Sequence, residues 1–362
     1  MKGLSDTRFI KPSLLPETLA MEGGGCVVPR ALEVRSLGNA VVCPGKGVFR
    51  RDGTFVDETY IHAYHPSAGK FRCEQTEESS PKIHEAVYIG AYINIWGHCL
   101  TDGVKFLWPL LKRDRRFEEL PLIWVSLPGA DMFDNFRELL ELLGVNLSHL
   151  VKIENATAID KLWIPDPCFF VDHTTSRRYC TPEYGEMFDK VKSALGTDDR
   201  KDRKIYFTRS SLKEHNRDFG ERSVERVFKQ MGYEIYSPEK MRLRDMVALM
   251  NGCSSFAATD GSIAHNSVFL DKGAQLVIIR KADTVNGYQA PINEVRELNT
   301  TIIDANWSRL LYQKRSPWDG PFFIYNNSRL RKWSGIWTPF PLLAFAKYVL
   351  HYAGYWLKSK IK

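Results

Sequence analysis

The chain has 362 residues, of which 44% are hydrophobic, 26% are charged and 12% are aromatic. This composition is typical of a globular protein long enough for two domains, and it excludes a disordered, collagen-like, cysteine-dense or polytopic membrane protein. The net charge is +7, and seven basic residues but no acidic residue follow Asp319. The excess positive charge therefore lies in a basic tail on an otherwise neutral protein.

The seven cysteines include no C-x-x-C pair. An odd number without such pairs predicts reduced, mostly packed thiols, as in a cytosolic protein. The N-terminal residues, MKGLSDTRFIKPSLLPETLA, contain no continuous apolar stretch of signal-peptide length. The sequence thus predicts a cytoplasmic protein.

The first half of the chain contains one clear strand–helix unit. Ala86–Ile93 is apolar enough for a strand, and His98–Lys112 fits a helix with one apolar face. Further strands are predicted at Leu122–Val125 and Leu162–Ile164. The charged, non-periodic stretch Ser193–Lys204 predicts a domain boundary near residue 200.

Beyond this boundary, strands and helices alternate regularly. The predicted strands are Ile205–Thr208, Tyr233–Tyr236, Ser254–Ala258 and Gln275–Ile279. Two intervening stretches have apolar residues at helical spacing, and the second begins at Ser237-Pro238, a favourable helix start. Such alternation predicts a doubly wound domain with a parallel sheet. We therefore expect an α/β fold of two Rossmann-like domains facing a cleft (residues 1–200 and 201–332) and a helical tail (residues 333–362).

The first candidate site is the pair His98 and Asp102. These residues are one helical turn apart on the side opposite the apolar face of the predicted helix, and Lys105 joins them. A neutral imidazole beside a carboxylate is a suitable general base near pH 7. The alternative is that the three polar residues form a solvated helix face.

The second candidate site lies where predicted strands end in the second half. The segment Thr259–Asn266 follows a strand and begins a helix, and in open parallel sheets ligands bind at that edge. Arg209 and Arg217 follow another strand of the same sheet, where guanidinium groups could bind a diphosphate. Neither the dinucleotide fingerprint nor a P-loop is present. The alternative to a ligand site is that Thr259–Asn266 is an ordinary turn and that the two arginines lie on the surface without a ligand.

The tail has its own pattern. The apolar residues with helical spacing are Leu342, Phe345, Ala346, Val349, Ala353 and Trp356. A spanning helix needs roughly 20 apolar residues, and Lys347 interrupts this one. The pattern predicts a basic amphipathic helix on an anionic membrane surface, with packing onto the protein and membrane spanning as alternatives. Nucleic acid is not an expected partner, because the basic charge is confined to this apolar tail.

Three segments between Val87 and Arg280 carry a family resemblance. They are Gly97–Asp102 (with Trp108-Pro109 downstream), Arg217–Glu221 and Asp260–Asn266. Their order and spacing resemble the N-x-x-H-x-x-x-D, R-x-x-N-E and H-G-A-G-L-T-N motifs of glycosyltransferase family 61, also catalogued as domain of unknown function 563. The chain departs from the motifs at three positions, with Ile95 for Asn, Gly220 for Asn and Asp260 for His.

The resemblance implies an inverting hexosyl- or pentosyltransferase of the GT-B arrangement, whose C-terminal domain binds a nucleotide sugar. His98 or Asp102, from the acceptor-side domain, would take the proton of the acceptor hydroxyl. The residues implied in donor binding are Arg209, Arg217, Glu221, Asp260, Gly261, Ser262 and Asn266. Asp260 would suit a ribose or sugar hydroxyl better than a phosphate.

The expected acceptor is a lipid-linked glycan such as bacterial capsule or lipopolysaccharide, glycosylated at the inner face of the cell membrane. The alternatives are another nucleotide-dependent transferase on the same fold and a non-catalytic scaffold of polysaccharide assembly. The nucleotide sugar would be a co-substrate, so we expect no permanently bound cofactor. No metal site is predicted, and dependence on a divalent metal is left open.

Overall fold

The computed structural model describes residues 8–9, 25–59, 82–126, 130–172, 175, 177–196, 202–212, 218–282, 285–307 and 321–360, with side chains up to residue 353 in the last range. The strands are β1 (Arg8–Phe9), β2 (Val34–Cys43), β3 (Gly47–Phe49), β4 (Lys82–Tyr92), β5 (Leu122–Ser126), β6 (Leu150–Lys152), β7 (Thr157–Pro165), β8 (Phe169–Asp172), β9 (Arg177–Cys180), β10 (Arg203–Phe207), β11 (Asp218–Phe219), β12 (Glu234–Tyr236), β13 (Cys253–Thr259), β14 (Gln275–Arg280), β15 (Asn299–Asp304) and β16 (Phe322–Phe323). The α-helices are α1 (Trp96–Leu100), α2 (Arg116–Glu119), α3 (Asp134–Leu143), α4 (Pro182–Leu195), α5 (Glu221–Gln230), α6 (Leu243–Met250), α7 (Gln289–Val295), α8 (Ser328–Ser334) and α9 (Leu342–Lys360).

The chain divides into two compact units. The N-terminal unit comprises residues 26–196, and the C-terminal unit comprises residues 1–25 and 197–362. The short strand β1 belongs to the C-terminal unit because it pairs with β15. Both units combine helices with a six-stranded sheet, which confirms the predicted α/β class.

The sheet of the C-terminal unit is parallel throughout, in the order β1-β15-β14-β13-β10-β12. All four strands predicted in this region are present. The apolar stripe of α5 (Val224, Val227 and Phe228) is buried in a core shared with Tyr206 of β10 and Val277 of β14. This packing confirms the helical spacing from which α5 was predicted. The Ser237-Pro238 signal instead begins a short 3-10 helix, Pro238–Lys240, and α6 starts separately at Leu243.

The sheet of the N-terminal unit is mixed, in the order β3-β2-β7-β4-β5-β6. β7, β4, β5 and β6 run parallel, whereas β2 is antiparallel to both β7 and β3. The predicted strands at 86–93, 122–125 and 162–164 correspond to β4, β5 and part of β7. The sequence did not predict β2 as one strand, because residues 34–39 show no regular alternation of apolar and polar side chains. Only Ala40–Cys43 is a continuous apolar run.

The predicted helix His98–Lys112 is wrong as one continuous element. The chain forms α1, then turns through residues 101–106, and then a 3-10 helix at Trp108–Lys112. Gly103 lies in this turn, where a Cβ would be 2.9 Å from the carbonyl oxygen of Cys99 and 2.9 Å from the Phe136 ring. Only glycine permits so close an approach.

The prediction of seven reduced cysteines is wrong at Cys43, which is disulfide-bonded. Cys26, Cys99, Cys168, Cys180 and Cys253 are free and buried, as expected. Spacing alone did not reveal the disulfide, because its formation depends on which cysteines the fold brings together.

Candidate functional site

The strand order of the C-terminal unit identifies where a ligand would bind. Along the chain β10 is followed by β12, its neighbour on one side, and then by β13, its neighbour on the other side, so the direction in which strands are added reverses at β10. In doubly wound sheets, ligands bind at the carboxyl ends of the two strands that flank this reversal. Here these strands are β10, which leads to Arg209, and β13, which leads to Asp260. The structure thus places these two predicted residues at adjacent strand ends.

Glu221 is a structural partner of Arg209. Its carboxylate accepts hydrogen bonds from the backbone N–H of Arg209, at 3.2 and 3.3 Å, and from the Tyr206 hydroxyl at 3.1 Å. Burial raises the pKa of Glu221 to about 7, and the nearby Asp218 carboxylate adds to this shift. Glu221 therefore holds the backbone from which the Arg209 side chain projects.

Asp260 is fully buried. Both of its carboxylate oxygens lie 3.2 Å from the backbone nitrogen of Asn286, which donates to them. Burial raises the pKa of Asp260 to about 6, although this hydrogen bond and the charge of Lys281 oppose the shift. In the structure Asp260 thus holds the chain at Asn286.

A buried polar network continues from Asn286. Its side-chain amide lies 3.1 Å from Nε2 of His265, whose Nδ1 lies 2.8 Å from Oε1 of Gln289. Gln289 in turn donates to Ser267 at 2.8 Å. This pattern fits a neutral His265 ring with its proton on Nδ1. These buried hydrogen bonds stabilise the turn after β13, because Asn286 also donates to Asp260.

The other predicted donor-site residues have different surroundings. The Asn266 side chain is buried and donates to the Ile263 carbonyl at 2.9 Å. Gly261 has φ +114°, and Ser262 is half-buried in the same turn. Arg217 lies outside the described residues. The structure therefore brings Arg209 and the Asp260–Ser262 turn to one sheet edge, while Asn266 stabilises the turn itself.

Gly220 accounts for one departure from the family motif. It precedes α5 with φ +85°, and a Cβ at this position would collide with the carbonyl oxygen of Ile324. An asparagine could not be accommodated here without movement of the backbone around Ile324. The glycine is thus required by the local packing of this chain.

Two charged residues at this edge were not among the predicted site residues. Lys281 directly follows β14, and its Nζ lies 2.9 Å from Oδ2 of Asp218. A sequence signal for Lys281 existed, because it follows a predicted strand in the same way as Arg209 does. Asp218 lies within the segment Arg217–Glu221 that carries the family resemblance, at a position that the family motif leaves unspecified.

In the N-terminal unit, His98 and Asp102 form a close pair. Nδ1 of His98 lies 2.8 Å from Oδ2 of Asp102, whose side chain is only 6% exposed. His98 is on α1, which follows the carboxyl end of β4, the parallel strand between β5 and β7. When Asp102 accepts the Nδ1 proton, the lone pair of the ring is on Nε2. This is the tautomer that a histidine general base requires.

Lys105 lies behind this pair. Its ammonium is 3.9 Å from Oδ1 of Asp102, and its side chain is buried. Burial lowers the pKa of Lys105, and the charge of Asp102 opposes this effect. The alternative interpretation of a solvated helix face is therefore wrong for Asp102 and Lys105, which the turn after α1 directs inward.

The tail helix α9 has two different faces. Phe345, Tyr348 and Tyr352 pack inward, with the Tyr348 ring 5.6 Å from Phe323 and 6.0 Å from Phe219. The outward face carries the large apolar side chains Leu342, Leu343, Val349 and Leu350, which are 71%, 83%, 41% and 74% exposed. The predicted stripe is thus corrected at Phe345, which packs on the protein. Within the described residues, no helix is long and apolar enough to cross a membrane.

Comparison with known protein families gives a match. The model of the family described as Glycosyltransferase 61 matches residues 96–277, about half of the chain. The matched region includes the His98–Asp102 pair, Arg209 and the Asp260 turn, and Lys281 lies beyond it. No curated protein matches this chain.

Proposed function

The chain belongs to glycosyltransferase family 61 and is a glycosyltransferase; on this premise we propose that it transfers a sugar, with inversion, from a nucleotide-sugar donor to a hydroxyl group of a glycan acceptor. The observation that supports donor binding by the C-terminal unit is the reversal of strand order between β10 and β13. Arg209 follows the carboxyl end of β10, and the Asp260 turn follows the carboxyl end of β13. A GT-B arrangement, in which the C-terminal unit binds the donor, is part of this proposal.

The proposed reaction is a single displacement. The acceptor oxygen attacks the anomeric carbon while the bond from that carbon to the diphosphate oxygen breaks, and the electron pair leaves with the diphosphate. His98 accepts the hydroxyl proton on Nε2, and Asp102 orients the ring and stabilises the resulting imidazolium. Arg209, and Arg217 by the family resemblance, would stabilise the negative charge of the leaving diphosphate.

Donor binding is tested by thermal shift and calorimetry with UDP, GDP, CMP and their common sugars. A ligand at 100 times its Kd stabilises a protein by about 2.7 kcal/mol, so one nucleotide should raise the Tm by several degrees. Arg209→Ala should raise the Kd of that nucleotide about 10- to 100-fold, because a hydrogen bond to a charged group contributes about 1.5–3 kcal/mol.

Arg226→Ala is the matched control, since Arg226 is exposed on the same unit. It should bind like the wild type. If no nucleotide binds, or if Arg209→Ala binds as tightly as Arg226→Ala, the donor site is located elsewhere. Because a divalent metal can assist diphosphate binding, the screen is run with and without Mg²⁺.

We further propose that the acceptor is a lipid-linked glycan, such as bacterial capsule or lipopolysaccharide, and that α9 rests on the membrane surface. The outward leucines of α9 provide apolar side chains, and the seven basic residues after Asp319 favour anionic lipid. Contact with the membrane would bring the enzyme to a lipid-linked substrate.

The double substitution Leu343→Gln and Leu350→Gln should weaken binding to phosphatidylglycerol vesicles by about 1000-fold, since burial of each leucine contributes about 2 kcal/mol. Vesicle co-sedimentation measures the effect. Ile95→Gln, at an exposed apolar residue of the N-terminal unit, is the control and should bind like the wild type. Equal partitioning of all three proteins would contradict the membrane proposal.

The side of the membrane is a separate question. The cytoplasmic expectation depended on reduced cysteines and on the N-terminal sequence, and the disulfide at Cys43 removes the first of these two supports, because disulfides are rare in the cytosol. We therefore propose peripheral association with a membrane surface. Thiol labelling of protein from fractionated cells would show whether Cys43 is oxidised where the protein resides.

A further inference from the structure

The carboxylate of Asp218 is shared by two basic side chains. Its Oδ2 lies 2.9 Å from Nζ of Lys281 and 4.0 Å from Nη1 of Arg209. The Asp218 and Lys281 side chains are 8% and 4% exposed, and that of Arg209 is 19% exposed. Asp218 thus pairs with two cations that have little access to water.

These two cations come from opposite sides of the turn after β13. Arg209 follows β10 and Lys281 follows β14, and both strands are hydrogen-bonded neighbours of β13. The turn Asp260–Ser262 therefore begins between them, at the edge where the proposed donor binds. Lys281 is also close enough to Asp260 for its charge to oppose the raised pKa of that residue.

Stability alone does not explain this arrangement well. Removing two charges from water costs about as much as their mutual attraction returns, so a buried ion pair is weak evidence for a stabilising role. Among the described residues, Asp218 is the one carboxylate that both cations share, while the buried carboxylates nearby, Asp260 and Glu221, have raised pKa values. An anion with several oxygens can contact both cations at once, and the diphosphate of the proposed donor is such an anion.

We propose that Lys281 is a further donor-binding residue, which contacts the diphosphate together with Arg209, and that Asp218 is a positioning residue that holds both cations in place before the donor arrives. This inference depends on the proposed function only for the identity of the ligand. On binding, the ammonium of Lys281 exchanges part of its contact with Asp218 for a phosphate oxygen. Asp218 consequently competes with the ligand while it orders the site.

The test measures the Kd of inorganic pyrophosphate, and of the nucleoside diphosphate that the screen identifies, by calorimetry on the full chain. Lys281→Met should raise the Kd of pyrophosphate about 10- to 100-fold, and Lys281→Arg should restore most of the affinity. Asp218→Asn should lower this Kd several-fold, because the competing charge is gone. Lys272→Met is the control, since Lys272 is exposed and pairs with Glu297 at 3.1 Å.

The Kd of pyrophosphate should rise in Lys281→Met and fall in Asp218→Asn, and these opposite changes distinguish the proposed role from a structural one. A structural role would lower the Tm of each variant without changing its affinity for the anion. If Lys281→Met does not fold, Asp218→Asn and Lys281→Arg still give the comparison. Unchanged pyrophosphate binding in folded Lys281→Met or Asp218→Asn overturns the inference, as does a wild type that binds no pyrophosphate. Pyrophosphate binding that depends on Lys281, without binding of any nucleotide, would support the inference and contradict the proposed donor.

Discussion

His98→Ala should lower kcat by about 10²- to 10⁴-fold, the usual contribution of a positioned general base, while the Kd of the donor stays unchanged. The reason is the 2.8 Å contact between Nδ1 of His98 and Asp102, which places the basic lone pair on Nε2. Asp102→Asn should have a similar effect, because an amide can donate to Nδ1 and select the wrong tautomer. Steady-state kinetics, with donor affinity measured separately, checks both variants.

The chain contains a matched control for this experiment. His84 and Asp160 also form a histidine–carboxylate pair, at 3.3 Å, but the His84 side chain is 91% exposed. His84→Ala should retain wild-type turnover. Full activity in folded His98→Ala would rule out His98 as the base and would favour Asp102. If Asp102→Asn is also fully active, neither residue is the base.

The second large effect concerns stability and pH. Glu221 has a pKa of about 7 in the folded protein, against an ordinary value of 4.5. Between these values the folded state retains a proton that the unfolded state has lost, so this group makes the protein progressively less stable as the pH rises from 4.5 to 7. The loss is on the order of 3 kcal/mol at pH 8. Glu221→Gln lacks the ionisation and should be more stable than the wild type at pH 8, and similar to it at pH 5.

Urea unfolding at pH 5, 6, 7 and 8 measures this difference. Asp260, whose pKa is also raised, contributes equally to wild type and variant and cancels in the comparison. Glu239→Gln, at an exposed position of the same unit, should follow the wild type at every pH. A stability difference between Glu221→Gln and wild type that is the same at pH 5 and pH 8 would contradict the burial argument.

The family and the C-terminal sheet could be predicted because their signals are local. Apolar runs such as Gln275–Ile279 alternate with helical stripes such as that of α5, and a sheet buried on both faces requires this pattern. The spacing of His98 and Asp102 is likewise a local property. The two side chains are in contact although the continuous helix predicted there is absent. Motif order along the chain then led to the family.

The amino-acid sequence alone thus predicts the α/β class, the strands and helices with strong periodicity, and the segments that carry the family motifs. The burial of Asp102 and Lys105 depends on the fold, because the chain turns inward after α1 at a place where only Gly103 fits. The contact of Lys281 with Asp218, 63 residues away in the chain, likewise depends on the fold, because the two residues belong to different strand ends. Such contacts depend on strand order, and strand order results from packing over the whole sheet, for which no single segment carries a signal.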